Sequence, residues 1–208
     1  MVLIGQYDSP FVRRVGIALH LQGMSWTHWP WSTFGDADRL ATVNSLRRVP
    51  VLVLDDGEVL IESGAILDHL DELVGPGLAL LPASGAARRH ALRTCALGTG
   101  LADKAVSLLY ERLLHDASSA LWVARCRVQI DGVLDVLERE RAALTTPWWF
   151  GQRVGHADIA VACALRFTAE AHGAALATTA RPALAAHSAA CEALPAFRAV
   201  AQTLVPPA

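Results

Sequence analysis

Apolar and polar positions come in short blocks over the first eighty residues and then settle into a helical rhythm. Val2 to Gln6 is an apolar run of strand length, bounded by the turn residue Asp8. From Pro10 to Gln22 apolar residues recur at spacings of three and four, which predicts an amphipathic helix. Ser9 stands at the N-cap of that helix and Pro10 at its first position, where a missing N–H costs nothing. A second strand is read from Ser25 to Trp29, and a variable segment follows. Val51 to Leu54 and Val59 to Ile61 flank Asp55-Asp56-Gly57, a hairpin signal. A helix from Ser63 to Leu73 then runs into Gly75-Pro76-Gly77. The predicted order is β-α-β-α-β-β-α.

Leu81-Pro82-Ala83-Ser84-Gly85 reads as a linker, and from Ala86 onward the period is helical throughout. Helices are expected near 86–115, 118–143 and 156–172, with two shorter ones after Pro182 and Pro195. No repeat of solenoid period is present. The fold class expected is a mixed α/β domain over residues 1–80 followed by an all-α helical-bundle domain over 86–208.

A chain of 208 residues can bury a sizeable core as one or two domains. No apolar run approaches the ~18 residues of a membrane span, and Met-Val-Leu-Ile-Gly lacks the basic start of a signal peptide, so a cytoplasmic protein with no membrane partner is expected. The net charge of −2 argues against nucleic acid as a partner, which would require a basic face. Acidic residues dominate before Ser84 and basic ones after it, which marks the same boundary as the periodicity.

Cys95, Cys126, Cys163 and Cys191 form no C-x-x-C pair and are expected to be core thiols. The histidines show no H-E-x-x-H or other metal-ligand spacing, so no metal is expected. Trp26, Trp29, Trp31, Trp148 and Trp149 are read as burial. Arg125, Arg127, Glu138, Arg139, Glu140 and Arg141 are read as solvated helix faces, and Asp158 as a helix cap.

Three segments, taken in order, resemble the cytosolic glutathione transferases. Ser9-Pro10-Phe11-Val12-Arg13 resembles the start of helix one in bacterial members that carry S-P-F there. Arg48-Val49-Pro50-Val51-Leu52, followed across a hairpin by Leu60-Ile61-Glu62-Ser63, resembles the cis-proline loop and Glu/Gln-Ser turn of the thioredoxin-like domain. Pro147-Trp148-Trp149-Phe150-Gly151 and Gly155-His156-Ala157-Asp158 resemble the W-x-x-G stretch and capping box of the α-domain. The chain departs from the family in two places. The usual N-P-x-G-K-V-P loop reads Asn44-Ser45-Leu46-Arg47-Arg48-Val49-Pro50, and Gly155 replaces the usual Ser or Thr cap.

The resemblance implies glutathione as co-substrate, a small hydrophobic electrophile as second substrate, and a homodimer. Glutathione carries two carboxylates, an ammonium and a thiol, so its site needs anion donors at both ends and an acceptor between. Ser9 at a helix N-terminus would donate its hydroxyl proton to the thiolate, with the helix N–H groups and Arg13 making the potential positive. A free thiol near pKa ~8.5 is mostly protonated at neutral pH, and lowering it by about two units stabilises the anion by roughly 2.7 kcal/mol. Serine cannot form a mixed disulfide, which disfavours disulfide reduction. Tyr7 is the rival hydroxyl.

Val49, before a cis Pro50, would offer its backbone to the cysteinyl unit as an added strand. Glu62 would take the γ-glutamyl ammonium and Ser63 its carboxylate, and Asp103 would reach the same ammonium across a dimer interface. Arg48 is the candidate for the glycine carboxylate, Phe11 is a further candidate glutathione contact, and Phe11, Ser107 and Tyr110 are the candidate electrophile pocket. Conjugation, dehalogenation and peroxide reduction all fit this chemistry. A non-enzymatic protein of the same fold, resembling the stringent starvation proteins, and a carrier that binds glutathione without turnover are the alternatives; retention of Glu62 and Ser63 favours a working ligand site.

Overall fold

The computed structural model describes residues 1–206, with Ala175 described by its backbone alone. Two compact units divide it: Met1–Ala83 together with the segment from Pro195 onward, and Ser84–Leu194.

The first unit is a four-stranded sheet with helices on both faces. Its strands are β1 (Val2–Ile4), β2 (Thr27–Trp29), β3 (Val51–Val53) and β4 (Val59–Ile61), in the order β2-β1-β3-β4. β1 runs parallel to β2, while the β1/β3 and β3/β4 pairs are antiparallel. A parallel pair needs a crossover, and α1 (Pro10–Leu21) supplies it. The antiparallel pair needs only a tight turn, made at Gly57 with φ +91°. The remaining helices are α2 (Ala37–Ala41) and α3 (Ser63–Val74).

The two-residue period of the strands decides which side each residue serves. Leu3 and Leu52 lie opposite each other and bury against Val12, Val15 and Leu19 of α1 and Ile66 and Leu70 of α3. Their neighbours Ile4 and Val51 are also paired, and turn to the other side onto Leu40 of α2. Each such fully buried aliphatic side chain contributes about 1.5–3 kcal/mol. Gly5 ends β1 at φ +127°, where a Cβ would lie 2.6 Å from Val12 and 2.8 Å from Val49. Only glycine lets α1 and the loop before β3 close on the strand end together.

The second unit is a helical bundle of α4 (Gly85–Leu113), α5 (Ala120–Ala142), α6 (His156–His172), α7 (Ala174–Ala177) and α8 (Pro182–Glu192). The alanine-rich α6 is its centre and packs on α4, α7 and α8, while α5 packs on α4 and α8. Alanines keep α6 slim, and Gly98 of α4 takes this furthest: a Cβ there would stand 2.9 Å from the Ala160 carbonyl carbon and 3.0 Å from the Val161 nitrogen. Among the described residues no helix is long and apolar enough to cross a membrane. The four cysteines are buried and unbridged.

Asp158 is almost wholly buried at the start of α6, where its carboxylate accepts from Gly155 N at 2.9 Å and Trp149 N at 2.8 Å. It therefore closes half of a capping box and also fixes the Trp148-Trp149 turn. Several charges expected on solvated faces hold the bundle instead. The Glu138 carboxylate accepts from Ala183 N at 3.0 Å and Leu184 N at 2.8 Å, capping α8 from the neighbouring helix. Arg141 donates to the carbonyls of Thr146 and Pro147, both at 3.0 Å, and Glu140 pairs with Arg93 at 2.6 Å. Helix ends carry unpaired backbone groups, and long charged side chains on adjacent helices are the groups able to reach them.

α9 (Pro195–Ala199) belongs to the first unit and packs on α1. Buried Arg13 is directed there, donating from Nη2 to Phe197 O at 3.1 Å and from Nε to Val200 O at 3.4 Å, with its guanidinium 5.7 Å from the Phe197 ring. This corrects the expected place of Arg13 beside a thiolate: the side chain leaves the helix inward and anchors α9.

Candidate functional site

Ser9 caps α1 from an extended conformation (φ −65°, ψ 122°), its Oγ accepting from Val12 N at 3.4 Å. An oxygen that accepts from the backbone keeps its own hydrogen for donation elsewhere. The first turn of α1 contains no acidic residue, so nothing on the helix itself offsets the positive end of its dipole. Phe11 follows, half-buried. Tyr7 is committed to packing: its hydroxyl accepts from Trp26 Nε1 at 3.2 Å, its ring stacks on His28 at 3.9 Å, and its edge fills the space beside Gly16. Burial raises the Tyr7 phenol above its ordinary value, with the Trp26 bond acting the other way.

The Val49-Pro50 bond is cis, and Val49 packs against the core shared by β1, α1 and α3. Asn44, buried and not singled out from the sequence as a functional residue, organises the approach to it. Its Nδ2 donates to Arg48 O at 2.9 Å, its Oδ1 accepts from Leu46 N at 3.0 Å, and its carbonyl accepts from Arg47 N at 2.8 Å. Arg47 is thereby held at φ +52°. An asparagine that bonds its own backbone two residues on is a turn signal that was readable here. Arg48 Nη1 lies 3.7 Å from Glu62 Oε1, both side chains more than half exposed. Such a pair is weak in water and gives way readily to a better partner.

Glu62 adopts φ +66° and ψ 121°, which for a non-glycine residue costs about 1–3 kcal/mol. The turn delivers Ser63 to the first position of α3, where it is buried and its Oγ accepts from Arg14 Nη1 at 3.2 Å. Sequence reasoning missed Arg14. It is one position from Arg13, and only the helix phase, 100° per residue, separates the residue that meets α3 from the one that meets α9.

Ser9, Val49-Pro50 and Glu62-Ser63 thus belong to one unit in which α1 reaches the other two: Val12 meets the Gly5–Val49 contact, and Arg14 meets Ser63. The set offers two helix N-termini, two hydroxyls, a backbone residue before a cis-proline, and a carboxylate beside a guanidinium. Asp103, Ser107 and Tyr110 lie in the second unit on α4, at spacings of four and three that put them on one helix face. Asp103 pairs with Lys104 at 2.9 Å and its carbonyl accepts from Ser107 Oγ at 2.8 Å. Among the described residues, no three His, Cys, Asp or Glu side chains could hold a metal ion together.

Residues 3–77 match the glutathione S-transferase N-terminal domain and residues 120–190 the glutathione S-transferase C-terminal domain. The chain is 31% identical over 168 residues to the GST-like protein YibF of Escherichia coli, a match covering 80% of this chain and 81% of that one. It is 32% identical over 187 residues to the maleylacetoacetate isomerase of Pseudomonas aeruginosa, covering 85% and 84%. A glutathione S-transferase of Methylobacterium radiotolerans, solved in complex with glutathione sulfonate, superimposes with a TM-score of 0.89 at 30% identity, over 100% of this chain and 98% of that one. With both family domains matched, and with the sheet order, the cis-proline and the Ser9 cap of α1 described above, the chain belongs to the glutathione S-transferase family.

Proposed function

We propose that this protein is a glutathione transferase in which Ser9 stabilises the glutathione thiolate for attack on a small hydrophobic electrophile. The observation that carries the reading is the meeting in one unit of Ser9 at the start of α1, the cis Val49-Pro50 bond, and Glu62-Ser63 at the start of α3. Ser9 Oγ donates to the sulfur, and the N–H groups of α1 add a field of the right sign. Phe11 covers the sulfur from the side. Val49 pairs its backbone with the cysteinyl unit, Ser63 and the first N–H groups of α3 take the γ-glutamyl carboxylate, and Glu62 takes the ammonium. Arg48 leaves its weak pair with Glu62 to meet the glycine carboxylate.

Asp103 of a second subunit completes the ammonium site in a cytoplasmic homodimer, and Phe11 contacts the electrophile. The sulfur lone pair forms a new S–C bond while the leaving group departs with its electron pair, or while an activated double bond takes up a proton. Catalysis comes from the thiolate population and from proximity. The likeness to a maleylacetoacetate isomerase adds isomerisation to the reaction classes open to the same thiolate.

Calorimetric titration with glutathione tests the site. Saturable binding by the native protein, weakened about tenfold or more in Glu62→Ala and in Ser63→Ala, is the expected outcome. A panel of aryl halides, activated alkenes and hydroperoxides then tests Ser9: turnover lost in Ser9→Ala with binding retained supports its role, and unchanged turnover removes it. A native protein that binds no glutathione would overturn the reading.

A further inference from the structure

We propose that the segment from Phe197 to Val205 is a positioning strap for the loop that carries Ser9, so that the hydroxyl facing the glutathione sulfur is set in place by residues almost two hundred positions away. This rests on the reading of Ser9 just given.

Four contacts carry it, all within the first unit. Arg13, buried on α1, donates to the carbonyls of Phe197 and Val200 and so fixes the start of the segment on the helix that Ser9 caps. Val200 then packs into the hollow above Gly16, where a Cβ would stand 3.1 Å from its Cγ1 and 2.7 Å from the Tyr7 ring. Beyond α9 the chain crosses the β1–α1 loop. Gln202 Oε1 accepts from the backbone N–H of Tyr7 at 2.9 Å, and the Asp8 carboxylate accepts from the backbone N–H of Val205 at 3.0 Å. The two residues before Ser9 are therefore bonded to the strap, one as donor and one as acceptor, while Arg13, the fourth residue of α1, is bonded to its root.

The chemistry gives this arrangement a use. A serine that stabilises a thiolate works only while its Oγ keeps hydrogen-bond distance to the sulfur, and a misplacement of an ångström costs up to about 100-fold in rate. Ser9 lies beyond the three-residue strand β1, past Gly5 at φ +127°, in a loop outside the sheet. The strap adds to that loop an acceptor for the Tyr7 amide and a donor to the Asp8 carboxylate. Neither Gln202 nor Val205 touches the sulfur; both act through the loop.

The test uses the full chain, a chain ending at Ala201, and the single variant Gln202→Ala. The cut keeps Phe197 and Val200, which are buried, so that the core of α9 survives, and Gln202→Ala covers the case in which the shortened chain does not fold. Amide hydrogen exchange over residues 7–13 reads the strap directly and requires no ligand; exchange about tenfold faster in either variant is expected. The ultraviolet absorbance of the bound thiolate reads its consequence, and the pH midpoint of that signal should move up, with kcat falling about 10- to 100-fold and KM for glutathione staying within about threefold. Unchanged exchange overturns the strap. Faster exchange with an unmoved thiolate midpoint overturns its link to Ser9. A native protein that binds no glutathione shows no thiolate signal at all, which removes the proposed function and, with it, the positioning role, while the exchange rates still report whether the strap holds the loop.

Discussion

Arg14 Nη1 donates to Ser63 Oγ at 3.2 Å across the buried seam between α1 and α3. A hydroxyl oxygen that accepts from a guanidinium has its lone pair engaged, and its hydrogen is turned outward as a donor. The polarity of Ser63 is thus set by a buried guanidinium, and the positive charge behind it favours an anion in front. Arg14→Met keeps most of the volume and removes both effects. Glutathione affinity is expected to fall about tenfold, with KM rising and kcat nearly unchanged, because the lost interaction serves ground state and transition state alike. Calorimetry and steady-state kinetics on the same preparation check it; kcat falling with KM constant would contradict the assignment.

The centre of the second unit is expected to titrate in two opposing ways. Burial pushes the Asp158 carboxyl up to about 6 from 3.8, although the amides of Trp149 and Gly155 draw it back. Burial likewise pushes His187 down to about 4 from 6.5, helped by the nearby Arg141 charge. For Asp158 the folded value lies above the unfolded one, so its contribution is full below pH 3.8 and is lost as pH rises through about 6. For His187 the folded value is the lower, so its contribution is full above pH 6.5 and is lost as pH falls through about 4. Across the shared window the two slopes oppose. Urea unfolding of the native protein should therefore vary little with pH there. In His187→Phe stability should fall with rising pH, and in Asp158→Asn it should rise, each by about 1–3 kcal/mol across the window. Parallel slopes in the two variants would rule this out.

Two glycines should respond to a side chain with opposite signs. Gly155 caps α6 from an extended conformation, φ −133°, that serine adopts without strain. Gly155→Ser completes the capping box and is expected to stabilise the protein by a few tenths of a kcal/mol, roughly 0.3. Gly98→Ala would gain about 0.5–1 kcal/mol in helix propensity, but its Cβ meets the backbone of Ala160 and Val161, which cannot yield as a side chain can. A net destabilisation of about 1–3 kcal/mol is expected. Thermal and denaturant unfolding of the two variants, measured side by side, decide both signs.

Much of this was legible in the sequence wherever a periodicity or a cap spoke for itself. The short apolar run Val51 to Leu54, the Asp55-Asp56-Gly57 turn and the Ser9-Pro10 helix start each have one conformation that suits them, and the structure adopts it. Contacts that depend on which surface a segment finds were not legible. Nothing in Pro195 to Val205 says that it returns to α1, and nothing in Arg13-Arg14 says that one guanidinium serves α9 and its neighbour Ser63. Glu138 looked like an exposed charge because its partners, the amides of Ala183 and Leu184, are backbone groups more than forty residues away. The motif residues of the candidate site were singled out by their resemblance to a family pattern; Arg14 belongs to no such pattern, because its contact exists only once two helices have packed.

The route of α9 back onto α1 also bears on how the protein is born. A ribosome releases the sheet first, yet Arg13 receives the Phe197 and Val200 carbonyls only after more than 180 further residues have emerged. Until then a buried cation waits for two of its acceptors, and Tyr7 for the side chain of Gln202. The sheet unit is begun first and finished last, so nascent chains halted before Pro195 should hold a loosely ordered first unit beside a bundle whose own residues, Ser84–Leu194, are already complete.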